Sequence, residues 1–241
     1  MPDEQPIAAS PRRPGAHRAA RPRRRRLLVA GLTLTFAGAG LVGYDQLGTA
    51  REAAAAVVDD NTASTELQKS VRRIEESWER GLAPGEVGVL RIPRFDTGGK
   101  EFAAPIVQGW DEDDLARGIG QYDGGARPGE AGNVVLAGHR VTHGSPFAPF
   151  PSLRVGDLVE IETATRVVTY RLITDGTRYR VPDTTVWPTW STPDPDLSAN
   201  RPTKKHYLTL VTCAETFHTD LRNVAIGIEV RARPVQRSTA S

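Results

Sequence analysis

Between residues 86 and 233 the chain falls into short runs of β-forming residues separated by Gly, Pro and Asp. The runs are GVLRIPRF (88–95), APIVQGW (104–110), NVVLAGH (133–139), DLVEIET (157–163), RVVTYRLITDGTRYRV (166–181), HYLTLVTC (206–213) and NVAIGIEV (223–230). Val, Ile, Tyr and Thr fit a pleated, half-buried surface, and Gly and Pro punctuate it. Strands this short and this numerous bury their apolar sides by closing into a mostly antiparallel barrel or sandwich. One short helix is expected at DEDDLARGI (111–119), whose leading carboxylates suit the positive end of a helix dipole.

Upstream the pattern is different. Residues 1–26 carry eight Arg against Asp3 and Glu4, a local net of +6, and then comes LLVAGLTLTFAGAGLVGY (27–44) without a charged side chain. As a helix those eighteen residues would reach about 27 Å, close to the roughly 30 Å of a hydrocarbon core. The expectation is a transmembrane signal-anchor with a basic cytoplasmic arm (1–26) and everything from Asp45 onward outside. A cleaved secretory signal is the alternative, and it too exports the remainder. Residues 45–80 are rich in Ala, Glu, Arg and Lys, and Leu67, Val71, Ile74 and Trp78 recur at helical spacing. They read as a helical stalk, interrupted near Asp59-Asp60-Asn61, or as a flexible linker. Gly81-Leu82-Ala83-Pro84-Gly85 then opens a domain spanning 81–233, and 234–241 read as a disordered tail.

Locating the charge excludes one class of function. The chain of 241 residues has a net charge of +2, but residues 81–233 hold 17 Lys and Arg against 19 Asp and Glu. The basic excess is a topology signal, and a phosphate-binding surface for nucleic acid is not expected. A single cysteine, Cys213, excludes an intramolecular disulfide framework and a cysteine-based zinc cluster.

Cys213 closes the run HYLTLVTC, and His139 closes NVVLAGH. A thiol works as a nucleophile when an imidazole holds it as thiolate or takes its proton. Arg222 follows nine residues after Cys213, so a hairpin between the last two strands would set the two opposite each other. A fixed guanidinium there could stabilise an oxyanion or anchor a peptide backbone. An inert buried thiol and a surface arginine are the plain alternatives. His143 reads as a surface or supporting residue, and His218 as a competing partner for Cys213. Asp111 to Asp114 lack the spacing of a calcium loop, so no metal site is expected. Trp187 and Trp190 mark a long loop that lines a groove or caps the barrel.

LAGHRVTHGSPF (136–147) and TLVTC (209–213), followed by Arg222, resemble the signature of sortases, the exported cysteine transpeptidases of Gram-positive bacteria. The resemblance runs in order across roughly 86–233, and the Arg and Thr-His-Gly after AGH are most like the class E group of actinobacteria. CAETFHTDLRNVAIG departs from the commoner class E ending, which has Pro after the cysteine and an aliphatic residue after the arginine. The resemblance implies a closed β-barrel of about eight strands with short helices. It implies that Cys213 attacks the Thr–Gly carbonyl of an LAxTG- or LPxTG-type sorting signal and forms a thioester. His139 would protonate the leaving amine, and Arg222 would hold the substrate backbone and oxyanion. Tyr122 and Thr212 would contact substrate, with no cofactor. The partners implied are surface proteins bearing the signal and an amine of peptidoglycan precursor, at the outer face of the cell membrane. The alternative is a non-catalytic, membrane-tethered barrel that binds cell-wall peptide or a partner protein. The L,D-type transpeptidases, a third exported class, place a His-Gly pair shortly before their cysteine, and Val211-Thr212-Cys213 lacks it.

Overall fold

A computed structural model describes residues 62–80, 87–214 and 220–235. The basic arm, the apolar run 27–44, the break near Asp59, the Gly81–Gly85 segment, His218 and all but the first two residues of the tail 234–241 lie outside the described residues. No described helix is long and apolar enough to cross a membrane.

Nine strands are present among the described residues: β1 (Gly88–Arg91), β2 (Ala103–Gln108), β3 (Ile119–Gln121), β4 (Gly132–Ala137), β5 (Leu158–Glu162), β6 (Arg166–Leu172), β7 (Tyr179–Pro182), β8 (His206–Cys213) and β9 (Leu221–Pro234). The order around the sheet is β6-β5-β1-β2-β3-β4-β8-β9, and β9 pairs back onto β6, so eight strands close a barrel. Two neighbouring pairs, β2–β3 and β4–β8, are parallel; the other pairs are antiparallel. Closure depends on the length of β9. One edge, Arg222–Ile228, pairs with β8, while the other takes β7 at Leu221–Val224 and then β6 from Gly227 to Pro234. β7 is therefore a ninth strand outside the ring.

Alternation along each strand sorts the side chains into two layers. Leu90, Ile106, Val134, Leu136, Val168, Tyr170, Leu208, Leu210 and Ala225 point inward and, with Phe147 and Phe150, fill the barrel. Their neighbours point outward and are covered by other segments. Trp187 of the 183–205 loop packs with Val224 and Ile226, flanked by Tyr207 and Val211.

The stretch read as a stalk does not stand free in its described part. Residues 62–79 are helical, and the stripe Leu67, Val71, Ile74 and Trp78 is only 1–6% exposed. Val71, Ile74 and Trp78 pack on the outward side chains Val89 of β1 and Ala103 of β2. Gln68 Nε2 donates to the carbonyl of Ala103 at 3.0 Å, and Arg91 of β1 pairs with Glu75. Burying each such side chain contributes about 1.5–3 kcal/mol, which favours docking over extension.

The acidic run starts a helix as expected. Asp111 caps a short helix (Glu112–Arg117), accepting from the Asp114 amide while the Asp114 carboxylate accepts from the Asp111 amide.

Candidate active site

The parallel pair β4–β8 fixes the register that matters. The ladder ends with Ala137 beside Val211, so His139 and Cys213 each follow two residues after its last pair. The amide of Gly138 donates to the Val211 carbonyl at 3.2 Å, which continues the alignment. On the other side of β8, Cys213 is the antiparallel partner of Arg222. β8 thus carries Cys213 against Arg222 on one side, and on its other side β4 ends two residues before His139. The pleat puts Cys213 and Arg222 on the outer face, because Val211 and Val224, two residues away from each, line an outer groove together with Arg222 itself.

His139 is held in a crowded corner. A Cβ at Gly138 would lie 2.7 Å from Ile119 Cδ1 and 2.9 Å from the Phe147 ring, so only glycine lets the chain pass there. The His139 carbonyl accepts from the Phe147 amide at 3.0 Å. Its ring stacks on His143 with centroids 4.6 Å apart. Burial pushes the imidazole pKa below its ordinary value, positive charge on His143 pushes it the same way, and Glu112 opposes both. Its Nε2 is buried without a hydrogen-bond partner among the described residues. A neutral imidazole with a free ring nitrogen is equipped to exchange a proton with a neighbouring thiol or amine.

Arg222 donates to the carbonyl of Leu221 at 3.1 Å and lies 3.6 Å from the Asp183 carboxylate. Both residues line a groove of about 280 Å³ with Trp110, Leu115, Ala137, Val181, Pro188 and Val211. Its wall is set by Asn133, 2% exposed, which donates to the carbonyls of Pro188 and Trp190 and accepts from Thr209 Oγ1, each at 2.9 Å. The tryptophan loop therefore does both things the sequence allowed: Trp187 caps the outer layer, and Pro188 and Thr189 line the groove.

A family model for the sortase domain matches residues 90–230, more than half of the chain. The chain belongs to the sortase family. It is 30% identical over 191 residues to sortase SrtE1 of Streptomyces coelicolor, covering 71% of this chain and 50% of that protein. It is 35% identical over 86 residues to sortase D of Bacillus subtilis, covering 36% of this chain and 39% of that protein. The chain thus spans half or less of the length of these curated relatives. Among solved structures, sortase E of Streptomyces avermitilis superposes with a TM-score of 0.52 at 31% identity, over 62% of this chain and 91% of that one. The SrtF sortase of Corynebacterium diphtheriae gives a TM-score of 0.56 at 26% identity, over 65% and 91%. The similarity is class E-like, as the AGHR-x-Thr-His-Gly segment suggested.

The remaining sequence candidates of this sortase fall into place around these residues. The Tyr122 ring packs tilted against Trp110 with centroids 4.5 Å apart, which sets it at the groove's rim behind a lining residue. Thr212 is 3% exposed and its hydroxyl donates to the Gly138 carbonyl at 2.8 Å. That hydroxyl ties the Cys213 strand to the His139 strand and faces away from the groove. His143 supports His139 by stacking, in line with its reading as a supporting residue. His206 pairs with Glu229 at 2.7 Å. Among the described residues no three His, Cys, Asp or Glu side chains gather as a metal site. Asp183, Trp110 and Asn133 were not foreseen. Their signal, an isolated polar or aromatic residue at a strand end, is too common in sequence to single them out.

Proposed function

We propose that this sortase is a membrane-anchored transpeptidase that cuts an LAxTG- or LPxTG-type sorting signal between Thr and Gly and passes the acyl group to a cell-wall amine. One observation supports the reading: Cys213 is the cross-strand partner of Arg222, which lines the groove, and the β4–β8 ladder ends two residues before His139 on one strand and two before Cys213 on the other. Cys213 Sγ passes its proton to the His139 imidazole and attacks the Thr carbonyl carbon, and the resulting oxyanion is stabilised by the Arg222 guanidinium. His139 gives its proton to the Gly nitrogen as the C–N bond breaks, leaving a thioester. It then takes a proton from the incoming amine, which attacks the thioester and releases Cys213. Asp183 holds Arg222 over the groove until substrate engages it. Tyr122, braced by Trp110, faces the signal's second residue. Residues 27–44 would anchor the chain with its barrel outside the cell, a reading supported by the Arg cluster before them.

The test is the full chain in detergent, given LAxTG and LPxTG peptides and an amine acceptor. Amine-linked product from wild type and none from Cys213→Ala supports the reading. A barrel that binds the peptides but leaves them intact contradicts it.

A further inference from the structure

We propose that Arg140 is a positioning residue that keeps His139 against Cys213. The inference rests on reading those two as the working pair. The β4–β8 ladder ends at Ala137 and Val211, two residues short of the pair on each strand. Before the pair, the two strands remain joined by the Gly138 amide on Val211 and the Thr212 hydroxyl on Gly138. After the pair, Arg140 reaches across and its guanidinium donates to the carbonyl of Ala214. The residue following His139 is thereby bonded to the residue following Cys213.

Ala214 is a suitable anchor because it is 8% exposed and its amide already donates to Leu221 of β9 at 2.9 Å. A charged donor on a carbonyl makes a stronger bond than a neutral one. The brace has a clear task. Beyond Arg140 the chain runs through three successive left-handed residues, His143, Gly144 and Ser145, at φ 53°, 80° and 46°. Such backbone persists only where surrounding contacts impose it. Arg140 ties the start of that loop, the residue next to His139, to the end of β8.

The test uses the full chain in detergent and the fact that Cys213 is the only cysteine, so alkylation by iodoacetamide reports on it alone. Arg140→Met should lower kcat for the sorting-signal peptide on the order of 10–100-fold while KM stays within about twofold. Alkylation near pH 6.5 should fall to the rate of His139→Ala, and adding R140M to H139A should slow it no further. Arg140→Lys should recover most of both. Unchanged kcat and alkylation in R140M would overturn the proposal. So would a raised KM with normal kcat, which would make Arg140 a substrate contact. An equal drop in alkylation on the H139A background would also overturn it, by showing a direct effect of charge on the thiol. Arg140→Gln, too short to reach Ala214, repeats the test if R140M does not fold. The alkylation comparison stands even if wild type cleaves no peptide, so failure of the functional reading remains separate.

Discussion

Replacing Asn133 by alanine tests how the groove wall is held. Three hydrogen bonds at 2.9 Å converge on this side chain, two donated to loop carbonyls and one accepted from the fully buried Thr209. Asn133→Ala leaves all three partners short of a bond, with Thr209 fully buried. At about 1 kcal/mol net for each bond the loss is about 3 kcal/mol. For a domain of this size that corresponds to a melting temperature lower by about 10 °C. Urea denaturation with an unchanged m-value should give the same loss. Asn133→Asp sharpens the point, because a carboxylate would face two carbonyl oxygens. It should be worse than alanine near neutral pH and recover as the pH falls and the carboxyl protonates. In both variants KM for a peptide should rise, because Pro188 and Thr189 form part of the groove. The argument fails if Asn133→Ala costs less than about 0.5 kcal/mol, or if Asp and Ala behave alike at all pH values.

Three further outcomes follow from the same geometry. Gly138→Ala should lower stability by about 1–3 kcal/mol through overpacking and depress kcat, since the residue before His139 must shift off Ile119 and Phe147; thermal melts and peptide turnover check both. Ile74→Ala should destabilise the barrel by about 2–5 kcal/mol in a urea titration, because this side chain is 1% exposed, whereas a free stalk would give no change. The depressed pKa of His139 means that, below its ordinary value near 6.5, the unfolded chain binds a proton that the folded chain does not. Stability should therefore fall as pH drops through that range, and His139→Gln should flatten the slope; equal slopes in the two proteins would contradict the burial argument.

His139, Cys213 and Arg222 were legible as candidates because each stands at or next to an end of a β run in the sequence. The hairpin expectation for Cys213 and Arg222 is met by their register pairing. β3 was missed, since its three residues, Ile119-Gly120-Gln121, carry no periodicity. The helix at 62–79 was foreseen from its apolar stripe, but the surface that stripe would meet was not. Val89 and Ala103 become that surface only once β1 and β2 pair. The partners of Thr212 and Arg140 were hidden for the same reason. Both bonds cross between strands 74 residues apart in sequence, and no local pattern records such a distance.

The central claim is a covalent one and can be weighed directly. The full chain is incubated with an LAxTG or LPxTG peptide in the absence of acceptor amine, quenched in acid and analysed by mass spectrometry. The account predicts a mass increase equal to the peptide acyl portion up to Thr, located on the proteolytic fragment containing Cys213. The adduct should be removed by hydroxylamine and absent from Cys213→Ala. Peptide cleavage without that adduct, or an adduct that persists in Cys213→Ala, would contradict it.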